Sequence, residues 1–126
     1  MISYNQVLEI HSEMVKRFGG ADGIRDKRLL ESALARPFIT FDGVDLYPNA
    51  IEKASAIIES IVVNHPFLDG NKRTGYTLGR LILLGNGIDI VASTDARYDF
   101  VINVASGQYT YDDILVWLKA NTAAIS

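Results

Sequence analysis

Between Pro48 and Pro66 the chain carries Ile51, Ala54, Ile58, Ile61 and Val62 at helical spacing. Together they cover a broad face, wider than the single stripe of a surface helix, and a helix of that kind has to be wrapped by other elements. Pro48 fits the first position of this helix. The end falls near Asn64, because the residue before a proline, here His65, is steered away from helical backbone. A central buried helix is therefore the expectation around which the rest of the chain has to be arranged.

The remaining segments show mostly the same period. Ser3 followed by Gln6 is a capping box, in which hydroxyl and amide each satisfy a free backbone N–H. Val7, Ile10, Met14 and Phe18 then recur on one side, and Gly19-Gly20 closes the helix. Asp26 is the N-cap of a second helix with Leu29, Leu30, Ala33 and Leu34 inward, ended by Pro37. After the central helix, another begins around Asn71 or Lys72 and runs to Asn86-Gly87, with Leu78, Leu81, Ile82 and Leu84 in its core. Thr94 or Asp95 opens a fifth, Ala96 to Ser106, which stops at Gly107. Thr110 with Asp113 resembles a second capping box ahead of Ile114, Leu115, Trp117 and Leu118. Only residues 38–46 read as strand-like, and their Asp42-Gly43 turn signal allows a short hairpin. The sum is an all-α fold of about six helices with one short β-hairpin, in a single domain over residues 1–126. His11, on the apolar side of the first helix, reads as a packing residue, and Tyr109, Tyr111 and Trp117 as core.

Composition narrows the function classes. With no cysteine, disulfides, thiolate metal sites and cysteine nucleophiles are excluded, and a reducing, cytoplasmic setting is the natural expectation. The N-terminus lacks the basic-then-apolar order of a signal peptide. No apolar run approaches the roughly 18 residues of a membrane helix, and the longest, Ala54 to Val63, is interrupted by Glu59 and Ser60. A net charge of −3 argues against direct nucleic-acid binding. The local cluster of Lys72, Arg73 and Arg80 still suits a small anion.

That cluster adjoins the stretch His65-Pro66-Phe67-Leu68-Asp69-Gly70-Asn71-Lys72-Arg73. Gly70 permits a tight turn into the following helix and a close approach by a ligand. The first turn of that helix presents unpaired N–H groups at the positive end of its dipole, which together make an anion site. Asn71 adds an amide donor, Lys72 a point charge and Arg73 a fork shaped for phosphate oxygens. Two cations at a helix N-terminus oppose its dipole unless an anion offsets them. Asp69 would repel a polyphosphate, a conflict that a bridging Mg²⁺ resolves. Histidine is the side chain most often used as a general base, so His65 suits that role toward a hydroxyl nucleophile. Phe67, turned into the core, would anchor the loop. The same residues also read as an ordinary turn, a solvated basic face and a structural histidine, and composition does not separate the two readings.

The stretch resembles the motif of the Fic/Doc family, His-Pro-Phe-x-Asp/Glu-Gly-Asn-Gly-Arg-x-x-Arg. It matches from His65 to Arg73 with lysine at position 72 in place of glycine, a form similar to the Doc (death-on-curing toxin) branch. The segments Gly19-Gly20, Gly23-Ile24-Arg25-Asp26 and Leu29 to Pro37, and Asn86-Gly87 after the motif helix, are also similar to Doc-like proteins. The resemblance implies an all-α Fic fold with ATP as co-substrate, His65 as the catalytic base, Asp69 on Mg²⁺, and phosphates held by Gly70, Asn71, Lys72 and Arg73. Arg80, one turn beyond Tyr76 on the same helix, reads either as an assistant to phosphate or target binding or as an exposed helix charge. In most Fic enzymes the target hydroxyl attacks the α-phosphate and becomes adenylylated. In the Doc branch the γ-phosphate moves instead, onto a threonine of elongation factor Tu. Lysine at position 72 fills room that glycine leaves for phosphates, and Tyr76 stands where the motif has its second arginine, so the Doc-type protein kinase is the leading expectation. An adenylyltransferase is the second, and a catalytically silent Fic-like binding module the third. The inhibitory helix that many Fic proteins carry is not found, which implies inhibition in trans by an antitoxin of Phd type, bound helix-in-groove. Residues 38–46 resemble the family's flap, which aligns the target chain by strand-like pairing, with Phe41 and Tyr47 contributing.

Overall fold

The computed structural model describes residues 2–125. In chain order it comprises α1 (Tyr4–Phe18), α2 (Lys27–Ala35), a 3₁₀ turn (Arg36–Phe38), β1 (Thr40–Phe41), β2 (Val44–Asp45), α3 (Ala50–Asn64), α4 (Asn71–Leu84), β3 (Ile88–Ile90), α5 (Thr94–Ala105), α6 (Tyr111–Ala120) and β4 (Thr122–Ala124). The fold is all-α, with six helices and two small antiparallel strand pairs among the described residues.

The central-helix expectation holds. Along α3 the run from Ala54 to Ile58, and then Ser60 to Val62, is buried, and α2, α4, α5 and α6 pack around it. The start lies two residues later than Pro48 suggests. Asn49 is the N-cap, its side-chain oxygen accepting from the Glu52 N–H at 2.8 Å, and Pro48 sits outside the helix. The closest packing is α3 on α4, and glycine makes it so. A Cβ at Gly75 would lie 2.7 Å from Val62 Cγ2, and one at Gly79 would lie 2.5 Å from Ile58 Cδ1. The bare backbone of α4 thus rests directly on the branched side chains of α3.

Most of the capping signals are realised. Ser3 and Gln6 form the capping box of α1, Asp26 accepts from the Leu29 N–H at 3.1 Å, and Asp113 accepts from both the N–H and the hydroxyl of Thr110. Helix α5 starts at Thr94, because Ser93 rather than Thr94 or Asp95 caps it. Pro37 ends α2 by drawing the chain into a 3₁₀ turn. The 38–46 segment forms the hairpin, with Phe41 paired to Val44 across a turn in which Asp42 and Gly43 have φ of 52° and 77°. Positive φ at both central residues gives the twist that two-residue hairpins favour.

Two expectations fail on packing. Leu81 is 38 % exposed, and Leu83 takes its place in the core. Phe18 is also exposed, because α1 ends at the rim of a cleft. The β3–β4 pair has no counterpart in the sequence reading. It joins Ile88–Ile90 to the C-terminal Thr122–Ala124, with Ile90 opposite Thr122. Trp117 stacks on Phe100 at 4.0 Å, and His11 is buried against Phe67, so both are packing residues as expected. Among the described residues no helix is long and apolar enough to cross a membrane.

Candidate active site

The loop between α3 and α4 is built by hydrogen bonds that reach far along the chain. His65 is the C-cap of α3 in the left-handed conformation, with φ 51° and ψ 59°. The pre-proline residue does leave the helix, but into a region that costs a side chain with a Cβ about 1–2 kcal/mol. Phe67, 1 % exposed, anchors the loop by stacking on the His11 ring at 3.8 Å. His11 Nε2 also lies 2.7 Å from the backbone oxygen of Asp69. From the other side, residues 23–26 run against the loop as a strand-like strip. Leu68 N–H donates to Gly23 O at 3.0 Å, and the Arg25 and Asp26 N–H groups converge on Pro66 O at 2.8 and 3.0 Å.

Gly70, at φ 75°, turns the chain into α4, a conformation open to a residue without a Cβ. The Asp69 carboxylate bends back over this turn, accepting from the Gly70 N–H at 3.1 Å and the Ala21 N–H at 3.3 Å. Among the described residues no side chain caps the N-terminus of α4, whereas α1, α2, α3 and α5 are capped by Ser3, Asp26, Asn49 and Ser93. The first-turn N–H groups and the positive end of the dipole therefore face outward without an internal acceptor. Lys72 and Arg73 are exposed beside it, and neither joins an ion pair among the described residues. The Arg73 guanidinium lies 3.9 Å above the Phe18 ring, which fixes its plane while leaving its edge donors free.

These residues line an open cavity of about 920 Å³, and α5 adds Thr94, Arg97, Tyr98, Val101 and Ile102 to its wall. His65, Asp69, Gly70, Asn71, Lys72 and Arg73 are thus brought to one place. Two residues of the expected set are deployed differently. Asn71 is 7 % exposed, and its side chain turns inward: Oδ1 accepts from the Phe67 N–H at 3.0 Å and Nδ2 donates to Phe67 O at 3.1 Å. Its amide therefore shapes the loop before it can serve a ligand. Arg80 lies outside the cavity lining. Its guanidinium forks onto Asp89 at 2.8 and 3.0 Å, tying α4 to β3. This pairing holds Asp89 below the usual carboxylate range, with the Ile90 N–H and the charge of Arg97 adding to it.

Sequence reading missed half-buried Arg97 and exposed Tyr98, which no local signal distinguishes from other positions on α5. Tyr76, at the position of the motif's second arginine, lines the cavity, and its hydroxyl is buried with no hydrogen-bond partner among the described residues. Nor is there among them any cluster of three or more His, Asp or Glu side chains that could cage a metal. Asp69 is the carboxylate beside the α4 start, a donor set that fits an ion shared with a ligand's own oxygens and not one held by protein alone.

The loop from His65 to Arg73 on a helix N-terminus, set in an α-helical bundle, defines a class. The family model described as the Fic/DOC family matches residues 1–83, and the chain belongs to that family. Within it, the chain is similar to Toxin Doc of Mycolicibacterium smegmatis, 38 % identical over 109 residues that cover 85 % of this chain and 84 % of that protein. It is also similar to Protein kinase doc of Escherichia phage P1, 24 % identical over 121 residues covering 94 % and 92 % of the two chains.

Proposed function

We propose that the chain is a Doc-type toxin and a protein kinase, which moves the γ-phosphate of ATP to a threonine hydroxyl of a translation factor such as elongation factor Tu. The observation that carries this reading is the uncapped α4 N-terminus, flanked by the unpaired Lys72 and Arg73 and facing the same cavity as His65. The likeness to two relatives, one named a toxin and the other a protein kinase, supports it.

The roles follow from charge and reach. The α4 N–H groups, Lys72 and Arg73 hold the triphosphate and stabilise charge on the transferring group. The His65 imidazole takes the proton of the incoming hydroxyl. Tyr76, where the motif has its second arginine, forms part of the wall beside the phosphates. Asp69 would hold Mg²⁺, and the ion would supply positive charge to offset phosphate oxygens that the carboxylate repels. Lys72 sets which phosphate lies beside His65, because its side chain occupies space that glycine would leave open. The β1–β2 hairpin, with Phe41 and Val44 exposed on it, presents the target segment. The protein acts in the cytoplasm and is neutralised by a Phd-type antitoxin whose helix lies in a groove of the toxin.

Incubation with elongation factor Tu, magnesium and ATP labelled at either the α or the γ position tests the reaction. Label should arrive from the γ position alone, and His65→Ala should abolish it. Arrival from the α position alone would make the chain an adenylyltransferase. Growth arrest on expression that survives His65→Ala would mark a silent binding module.

A further inference from the structure

We infer that Arg25 is a positioning residue that holds the catalytic imidazole in place; the inference rests on the proposed role of His65. Arg25 lies 40 residues from His65 in sequence, yet its Nε–H donates to His65 O at 2.6 Å, and its Nη2 donates to Asn64 O at 2.6 Å. These are the last two carbonyls of α3 as it ends. Neither can find an intrahelical partner, and α3 has no basic residue in its own last turn. One guanidinium from the adjoining strip satisfies both and sets a cation at the negative end of the α3 dipole.

The consequence reaches the imidazole because of the backbone at His65. At φ 51° this residue is in a conformation that glycine adopts freely and histidine does not, and it is followed by a proline that disfavours helical backbone at the same residue. A strained conformation persists only where its surroundings over-determine it. Here the Arg25 N–H holds Pro66 O at 2.8 Å while the Arg25 side chain holds the two preceding carbonyls, so one residue grips three consecutive peptide oxygens. The Cα–Cβ direction of His65 is set by that grip, and with it the point in the cavity where the ring can reach a hydroxyl. Without the side-chain hydrogen bonds, His65 can relax toward extended backbone and swing the ring away, while the phosphate cradle on α4 stays as it is.

This separation dictates the experiment. Arg25→Ala should lower kcat for phosphate transfer about 10- to 100-fold, the range expected when a catalytic group is misplaced by about 1 Å, with the KM for ATP–Mg²⁺ changed by less than about 2-fold. Arg25→Lys keeps the charge and one hydrogen bond, so its kcat should fall between the two; it also serves if Arg25→Ala does not fold. Asn49→Ala, which uncaps the far end of α3, is the control for a merely structural effect and should lower Tm without lowering kcat. The His65 ring resonances, identified by their loss in His65→Ala, should move in both Arg25 variants and not in Asn49→Ala. Unmoved resonances, or a kcat in both Arg25 variants equal to that of Asn49→Ala, overturn the inference. The ring signals report the clasp whatever reaction is catalysed. If His65→Ala retains transfer, the proposed function fails on its own account, separately from the clasp.

Discussion

Asn71 offers the sharpest test of the site as built, because a phosphate donor and a loop clamp respond differently to its removal. Asn71→Ala deletes both partners of Phe67, whose N–H and C=O then lie in a buried loop under a ring that is 1 % exposed. Each unsatisfied buried polar group costs about 1–3 kcal/mol, and water entering the vacated amide volume relieves part of that. The loss should therefore be about 2–4 kcal/mol, a large share of the roughly 5–15 kcal/mol that holds a domain folded. At about 3–5 °C per kcal/mol for a chain of this length, Tm should fall by roughly 6–20 °C. Asn71→Asp keeps the acceptor for the Phe67 N–H and loses the donor to Phe67 O, so it should recover part of the loss. Urea denaturation with a fixed m-value gives the free energy, and calorimetric titration with ATP–Mg²⁺ gives the affinity. A stability change below about 0.5 kcal/mol, within the range of surface substitutions, together with a large loss of ATP affinity, would falsify the clamp and return Asn71 to the role of a direct phosphate donor.

Three further outcomes follow from the same geometry. Lys72→Gly should weaken transfer from γ-labelled ATP and admit AMP transfer from α-labelled ATP; if neither activity shifts, the account of position 72 is wrong. Gly75→Ala should destabilise by about 1–2 kcal/mol in urea, since overpacking at the 2.7 Å approach to Val62 outweighs the roughly 1 kcal/mol that alanine gains in helix propensity; a stabilised variant would show that α3 and α4 can part cheaply. Asp89→Asn should cost about 0.5–1 kcal/mol at neutral pH, the partly exposed pair being screened by solvent. The Asp89 carboxyl is held below its unfolded value, so its contribution is complete above about pH 4 and is lost as pH falls through the depressed folded value. The gap between wild type and Asp89→Asn should accordingly close in acid, and a gap that widens there would contradict the pairing.

Helix ends and the hairpin turn were legible along the chain because the groups that decide them are adjacent or three residues apart: Ser3 with Gln6, Asp26 with Leu29, Asp42 with Gly43, and His65 ahead of Pro66. The motif residues were legible for a related reason, since a short loop entering a helix brings its own neighbours together. His11 against Asp69, Arg25 on His65 and Arg97 in one cavity with Arg73 were not, because each brings together residues whose distance along the chain carries no local signal. The same holds for the β3–β4 pair, which depends on where α6 returns the C-terminal strand.

By itself the sequence determined an all-α chain, its caps and turns, and a cation-rich helix start beside a histidine, since these depend on backbone hydrogen bonding and periodicity within a few residues. The tertiary structure alone decided how those polar side chains are deployed. Asn71 faces inward because Phe67 is buried beneath it, Arg80 leaves the site because Asp89 lies within reach, and α5 closes the cavity with Arg97. Which partner a flexible charged side chain takes is a matter of what packing brings near it in space.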